Sequence, residues 1–239
     1  MADGFGAGAG SVLSPVPVKP LVLLGEEVLP DGSRLTLHQR DADFMILLDK
    51  QPLMTSRVRG SEEDLATLGC VEARKRPSPT VLVGGLGMGF TLRAALDVLP
   101  PGATVVVAEL SKSVVEWNRG PLGPLAGNPM DDPRVRIELG DVATIIKKGK
   151  GRFDAMLLDV DNGPDALTQV SNAGLYGHGG LMSASASLKA GGTYALWSAG
   201  PSQSFERSLE RAGFRPKTHP CRARAGVGTK KHVVFIGQK

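Results

Sequence analysis

The sequence predicts an α/β protein: a Rossmann-like, doubly wound, mostly parallel seven-stranded sheet that ends in a C-terminal antiparallel hairpin and follows a small N-terminal β unit. Short apolar strands alternate with helical segments from about residue 80 onward, and a glycine cluster lies where the first of these strands meets its helix. This alternation favours a parallel sheet covered on both faces, because right-handed crossovers place the helices there.

Length and composition limit the number of domains and argue against several classes of protein. With 239 residues, 41% of them hydrophobic, the chain suffices for one full-sized domain and a small appendage. Its two cysteines, Cys70 and Cys221, are far apart in sequence, which argues against a disulfide framework or a zinc site and favours a cytoplasmic setting. No apolar run reaches the roughly 18 residues that a membrane span needs, so no membrane partner is expected.

The N-terminal part has strand-like periodicity. Residues 34–40 alternate polar and apolar side chains, and residues 44–48 form a short apolar run. Ser61 is predicted to cap a bridging helix, with Glu62 among the acids of its first turn. Three segments are therefore predicted: a disordered Gly/Ala/Pro-rich leader (1–20), a small β unit with the bridging helix (21–76) and a Rossmann-like domain (77–239).

Strands and helices then follow each other in the Rossmann-like domain. Apolar runs and helical periodicity predict strands at 81–83, 104–108, 135–139, 153–158 and 193–197, and helices at 91–99, 112–118, 142–148, 175–188 and 203–212. Two last strands, at 214–222 and 232–236, have no helix between them and are predicted to close the sheet as an antiparallel hairpin.

A glycine-rich junction provides the clearest sign of a ligand. Residues 81–90 read Val-Leu-Val-Gly-Gly-Leu-Gly-Met-Gly-Phe, and glycines there let a ligand approach the backbone and the free N–H groups of a helix. A tight packing turn is the alternative, but Glu109 ends the next strand, where a carboxylate accepts hydrogen bonds from ribose hydroxyls. Asp141 follows the third strand, in position to meet an adenine edge. The predicted nucleoside site comprises Gly84, Gly85, Gly87, Gly89, Glu109, Asp141 and Val142.

With these residues the sequence resembles the class I S-adenosylmethionine-dependent methyltransferase superfamily and, within it, the spermidine synthases and spermidine synthase-like proteins. The likeness begins near residue 34. It rests on the small β unit, on Asp132-Pro-Arg-Val before Gly140-Asp141, and on Asp159-Val-Asp-Asn-Gly-Pro after the fourth strand. The resemblance implies an S-adenosylmethionine-type ligand and, by analogy, a homodimer.

Departures from that family pattern favour methyl transfer. Aminopropyltransferases carry an acid in the glycine loop, which holds the amine of decarboxylated S-adenosylmethionine and repels the carboxylate of the intact molecule. Here Gly87 takes that position, which favours the intact molecule by roughly 1–4 kcal/mol. The second acid of the family's D-x-x-D-P motif is replaced by Asn162, and no Gln lies between Leu53 and Ser61. A diamine needs carboxylates at both ends, and these positions supply too few.

The chemistry implied is in-line displacement at a carbon bound to a sulfonium, for which no metal is needed. Proximity and alignment supply much of the rate. Asp159, at a strand end facing the sulfonium, is the predicted catalytic base; a helix-capping or loop-bracing carboxylate is the alternative. The predicted acceptor-binding residues are Asp161, Asn162 and Tyr176.

The leading hypothesis is thus an S-adenosylmethionine-dependent methyltransferase acting on nitrogen or oxygen of a small-molecule acceptor. The alternatives are a polyamine aminopropyltransferase (spermidine synthase) and a non-catalytic nucleoside-binding protein. The net charge of +4 is concentrated in residues 205–239, which hold nine basic and two acidic residues. A solvated edge is the preferred interpretation, nucleic acid is a less favoured partner, and the basic edge argues against a polycationic acceptor.

Overall fold

The computed structural model describes residues 19–57, 59–159, 173–221 and 232–239. Within these ranges the chain forms two sheets joined by one helix. The predicted leader lies almost wholly outside the described residues, and Asp161 and Asn162 lie outside them as well.

The N-terminal sheet has four antiparallel strands in sequential order. Leu35, Leu37, Phe44 and Ile46 are buried at alternate positions of its two middle strands, which is the pattern of a sheet with one face on a core. The small β unit expected from the sequence is therefore present. Its strands are β1 (Val22–Val28), β2 (Arg34–Arg40), β3 (Asp43–Leu48) and β4 (Gln51–Thr55).

The bridging helix, α1 (Gly60–Gly69), begins earlier than the sequence predicted. Arg59 is its N-cap residue, and the Glu63 N–H donates to the Arg59 carbonyl oxygen (3.1 Å), so Ser61 does not cap the helix. Because the first turn starts at Gly60, Ser61 and Glu62 turn inward and are buried. At Gly69 the helix packs so closely on the second sheet that an added Cβ would be 2.2 Å from Leu157 Cδ2.

The second sheet has seven strands, in the order β10-β11-β9-β8-β5-β6-β7. Five strands, β7 to β9 in that order, run parallel, and β11 and β10 are antiparallel, as the sequence predicted. Its elements are β5 (Thr80–Gly84), α2 (Phe90–Val98), β6 (Thr104–Glu109), α3 (Lys112–Arg119), β7 (Val135–Leu139), α4 (Val142–Lys148), β8 (Phe153–Leu158), α5 (Ala173–Tyr176), α6 (His178–Ser187), β9 (Leu188–Ser198), α7 (Gln203–Arg211), β10 (Arg215–Cys221) and β11 (His232–Gln238), with short 3-10 helices at Ala73–Lys75, Gly123–Ala126 and Pro129–Asp131.

Within the seven-stranded sheet domain, the largest differences from the predicted elements are one helix and the start of one strand. The helix predicted for residues 175–188 is two helices, because Gly177 adopts an extended backbone (ψ 169°) between α5 and α6. β9 starts at Leu188, five residues before its predicted start at Thr193, and its pairing with β8 shifts register there.

Both faces of the seven-stranded sheet are covered. Val81 and Val83 of β5 point into one apolar cluster with Leu92 of α2, whereas Leu82 between them points into the other, with Phe235 of β11. A continuous apolar strand is what burial on both faces requires. Among the described residues, no helix is long and apolar enough to cross a membrane.

The strand order fixes where a ligand would bind. β6 lies on one side of β5 and β8 on the other, so the chain reverses its direction of travel across the sheet at β5. In open α/β sheets, ligands bind in the crevice at the carboxyl ends of the strands beside such a reversal. The glycine loop after β5, Glu109 at the end of β6 and Asp159 after β8 all lie at that edge.

Candidate functional site

The glycine loop between β5 and α2 adopts a backbone that side chains would strain. Gly85, Gly87 and Gly89 have φ values of 87°, 51° and 81°, in the left-handed region that favours glycine. An added Cβ would lie 2.7 Å from Met54 Cε at Gly87 and 3.0 Å from Asn118 Oδ1 at Gly89. Asn118 also donates from Nδ2 to the Gly87 carbonyl oxygen (2.8 Å). Contacts with Met54 and Asn118 therefore hold the loop in place.

Glu109 ties this loop to the end of β6. Its Oε2 accepts the Leu86 N–H (2.8 Å) and its Oε1 accepts the Ser111 N–H (2.8 Å). Burial raises the pKa of Glu109, and the bonds from backbone N–H groups oppose that rise. Each carboxylate oxygen has a further lone pair, so the group can still accept ribose hydroxyls. This geometry fits the predicted role of Glu109, which stays a prediction.

The N-terminal sheet reaches the same edge through two residues that sequence reasoning missed. Glu27 of β1 accepts a short hydrogen bond from the Ser111 hydroxyl, and Ser111 in turn caps α3 by accepting the Val114 N–H (3.0 Å). Met54 of β4 covers Gly87 from the other side. No local pattern marks either residue, because their positions depend on how the two sheets pack.

Asp141 caps α4. Its Oδ1 accepts the Ala143 N–H (2.9 Å), and its side chain is exposed at the carboxyl edge, next to the buried Val142. Capping is the ordinary role of an Asp at a helix start. The contact with an adenine edge stays a prediction for Asp141 and Val142.

Asp159 is the first residue after β8. Its N–H donates to the Gly84 carbonyl oxygen (3.0 Å), which fixes it beside the glycine loop, and its Oδ2 accepts the Thr91 hydroxyl (3.1 Å). Burial raises the pKa of this half-buried carboxyl to about 6, against the lowering effect of the Thr91 bond. A carboxyl with a pKa near 6 is ionised at pH 7.5 and still basic enough to take a proton.

Glu62 is a second carboxyl at this place, and sequence reasoning missed it. The side chain is 8% exposed and accepts the Ser61 hydroxyl (2.9 Å). Burial, and then the negative charge of Asp159, raise the pKa of Glu62 to about 8. The sequence does indicate that Glu62 is buried. It shares the spacing of one helix face with Leu65, Ala66 and Gly69, and all four residues are buried.

Of the three predicted acceptor-binding residues, the structure describes only Tyr176. Tyr176, at the end of α5, is buried, and its ring packs edge-to-face on Phe205 (centroids 6.3 Å apart). Asp161 and Asn162 lie outside the described residues. The predicted contacts of these three residues with an acceptor stay predictions.

The carboxyl pair makes stability depend on pH. Both pKa values are raised in the folded protein, so the folded state binds more protons than the unfolded state. Stability from these groups is therefore complete below about pH 4 and falls as the pH rises through 6 and 8. We expect Glu62→Gln to raise the free energy of unfolding relative to the parent at pH 9 and much less at pH 5. Urea unfolding at both pH values measures this; a constant difference between parent and variant would contradict it.

Comparison with known proteins gives partial sequence matches. No protein-family model matches the chain. Polyamine aminopropyltransferase 2 of Caldanaerobacter subterraneus is 37% identical over 94 residues, 38% of this chain and 30% of that protein. The polyamine aminopropyltransferase of a Thermoanaerobacter species is 35% identical over 85 residues, 36% of this chain and 30% of that protein. Each match thus spans under a third of the curated relative's length.

The fold is matched over most of the chain. The crystal structure of spermidine synthase from Thermotoga maritima superposes with a TM-score of 0.68 and covers 91% of this chain and 72% of that chain, at 20% sequence identity. The protein described here therefore has a spermidine synthase-like fold, as the resemblance implied.

The leading hypothesis, a small-molecule methyltransferase using intact S-adenosylmethionine, is wrong. The relatives just described are polyamine aminopropyltransferases, and the matching structure is a spermidine synthase. Gly87 alone does not establish methyl transfer, because its left-handed backbone (φ 51°) is a conformation that glycine adopts without strain. Glu62 is a buried carboxyl that lies outside the family motifs compared above.

Proposed function

We propose that this chain is a transferase of the spermidine synthase type, which moves an aminopropyl group from decarboxylated S-adenosylmethionine to the nitrogen of an amine acceptor. The observation that carries the proposal is the carboxyl of Asp159, fixed beside the glycine loop of a spermidine synthase-like fold, with the buried Glu62 close enough for the two charges to interact. Two neighbouring carboxyl groups favour an acceptor that binds as a cation, because carboxylates attract an ammonium group. A second carboxyl would not strengthen the binding of a neutral oxygen acceptor.

We assign the nucleoside of the donor to the part of the carboxyl edge between the glycine loop, Glu109 and the start of α4. Glu109 would accept the ribose hydroxyls while it holds the glycine loop through Leu86. The backbone of Gly85 to Gly89 would lie along the donor, and Asp141 and Val142 would border the adenine. The sulfonium then falls between the glycine loop and Asp159, which the Gly84 carbonyl holds together.

The transfer is a displacement at carbon. The acceptor nitrogen attacks the propyl carbon bonded to sulfur, a C–N bond forms, the C–S bond breaks, and both electrons of that bond leave with methylthioadenosine. The acceptor must first lose a proton from its ammonium form, and Asp159 takes it. The sulfonium is already activated, so the remaining task of the protein is to align nitrogen and carbon.

Donor choice follows from charge. Intact S-adenosylmethionine differs from the decarboxylated donor by a carboxylate, which would lie near the ionised Asp159. Repulsion between two such charges a few ångströms apart amounts to about 1–4 kcal/mol. The site therefore selects against intact S-adenosylmethionine even though Gly87 brings no charge of its own.

Calorimetric titration of the full chain tests the proposed function. The ligands are decarboxylated S-adenosylmethionine, the intact molecule, S-adenosylhomocysteine and methylthioadenosine. We expect the decarboxylated donor to bind at least about 10-fold more tightly than the intact one, and methylthioadenosine to be released when an amine is added. Tighter binding of the intact donor, or donor binding without any release of methylthioadenosine across simple amines, would contradict the proposal.

A further inference from the structure

Four strands of the second sheet have neighbouring ends at the edge opposite the carboxyl edge. Arg215 of β10 pairs with Gln238 of β11, which pairs with Thr193 of β9. Thr193 pairs in turn with Ala155 of β8. The row of strand ends is therefore about 14 Å across, since it spans three strand spacings of about 4.8 Å.

Two further segments of the chain lie against these strand ends. The loop between α4 and β8 is held there because the Gly151 N–H donates to the Ala186 carbonyl oxygen (2.9 Å). The 3-10 helix before β5 is held by Arg76, which donates to the Ala190 carbonyl oxygen (2.7 Å). The cations of both segments and of the start of β10 thus share one surface, which we call the basic end. Its exposed cations are Arg74, Lys147, Lys148, Lys150, Arg211 and Arg215.

The basic end carries little negative charge to balance these cations. None of the six has an ion pair within 4 Å among the residues that the structure describes. The nearby acids, with their partners, are Glu72 (Lys75), Glu138 (Arg152), Asp154 (Arg76 and Lys189) and the exposed Glu210. Three of these four acids pair with cations other than the six. Protein surfaces ordinarily mix both signs, so a surface of one sign attracts anions.

Helix ends explain only part of this arrangement. Lys147, Lys148 and Arg211 lie in the last turns of α4 and α7, where the helix dipole favours a cation whatever the partner. Lys150 and Arg215 lie outside the helices. The helix dipoles therefore do not account for the whole cluster.

The rest of this surface indicates which polyanion it fits. The aromatic side chains here, Phe153, Tyr194 and Phe214, are buried, so the described residues offer no platform on which single-stranded bases would stack. The exposed large apolar side chains of the described residues lie elsewhere, on β1, β4, α6 and at the ends of β6 and β7, which argues against insertion into a membrane. A nucleic-acid duplex displays one phosphate charge per about 1.7 Å of its axis, so a row about 14 Å across faces about eight of them.

We propose that the basic end binds the phosphate backbone of a nucleic-acid duplex without reading its sequence. Phosphate contacts from lysine and arginine position a protein on a duplex but carry no sequence information. The inference goes beyond the proposed function and does not depend on it, because the basic end and the glycine loop lie at opposite edges of the sheet. A bound duplex would leave the carboxyl edge open.

Fluorescence anisotropy of a labelled duplex, titrated with the full chain at several salt concentrations, tests the inference. Two triple variants are compared with the parent, and each removes three exposed lysines, so that the change in net charge is the same. The control lysines lie beside the N-terminal sheet and at the start of α3. The basic-end variant is Lys147→Gln, Lys148→Gln and Lys150→Gln, and the control variant is Lys19→Gln, Lys50→Gln and Lys112→Gln.

We expect the Kd of the parent for the duplex to rise at least about 100-fold between about 50 and 200 mM salt, the dependence of four or more phosphate contacts. The basic-end variant should bind about 10-fold or more weakly at the lower salt. The slope of its log Kd against log salt should fall by about 0.9 for each lost contact. The control variant should stay within about threefold of the parent.

Three results would overturn the inference. They are a parent protein that does not bind the duplex at the lower salt, whether or not it binds phosphatidylserine vesicles; an equal loss in both triple variants; and tighter binding of a single strand of the same length. Urea unfolding verifies that both variants are folded. None of these results bears on the proposed function, which is measured by donor binding and release of methylthioadenosine.

Discussion

Asp159→Asn is expected to lower the rate of aminopropyl transfer by about 100-fold or more, the usual contribution of a general base. The amide keeps the shape of the side chain and can still accept the Thr91 hydroxyl, but it cannot take a proton from the acceptor. Binding of methylthioadenosine should remain within about threefold of the parent value, because we assign the nucleoside to Glu109 and the glycine loop.

The measurement pairs initial rates of methylthioadenosine release with calorimetric Kd values. Asp97→Asn is a suitable control, since Asp97 is an exposed carboxylate paired with Arg93 (2.7 Å) on the far part of α2. An unchanged rate in Asp159→Asn would remove Asp159 from the mechanism. Loss of nucleoside binding and of rate together would instead indicate that Asp159 only braces the loop.

The rate of the parent protein should also depend on pH with a definite sign. A general base works in its ionised form, so kcat/KM should rise as the pH passes about 6, the pKa to which burial raises Asp159. The negative charge of Glu62 develops only near pH 8. Asp159→Asn should lose the rise near pH 6, whereas Asp97→Asn should keep it.

The sequence was most informative where structure is local. The glycine loop, Glu109 and Asp159 each follow a short apolar strand, and parallel strands bring their carboxyl ends to one edge of the sheet. Their convergence therefore followed from the alternation of strands and helices alone. The boundaries that were wrong, such as the start of α1, depend on one backbone hydrogen bond at Arg59, which no propensity fixes.

The function was mispredicted because acidic residues were considered only at the positions of the family motifs, the glycine loop and the segment after the fourth strand. Gly87 was interpreted as a lost acid, although its left-handed φ of 51° is by itself a reason for glycine there. Glu62 was interpreted only as a first-turn acid of the bridging helix, although its spacing from Leu65 and Gly69 places it on the buried face.

Asp154→Ala is expected to lower the free energy of unfolding by about 3 kcal/mol, the lower end of the range for breaking a buried ion pair. Asp154 is 1% exposed in β8; its Oδ2 accepts the Thr80 N–H (2.6 Å) and Lys189 Nζ (2.7 Å), and its Oδ1 pairs with Arg76. The two cations are about one third exposed, 34% and 37%, so water can partly replace the lost carboxylate.

Two aspartates five residues apart, one in β8 and one directly after it, thus have different surroundings. Asp154, near the start of β8, accepts from Thr80 of β5, Lys189 of β9 and Arg76. The side chain of Asp159, about 16 Å further along at 3.3 Å per residue, accepts one hydroxyl. Urea unfolding at pH 7.5 should show the loss for Asp154→Ala, and the rate per folded molecule should stay near that of the parent. A change in the free energy of unfolding below about 0.5 kcal/mol, the usual range of a surface substitution, would mean that the three donors are satisfied by water once the carboxylate is gone.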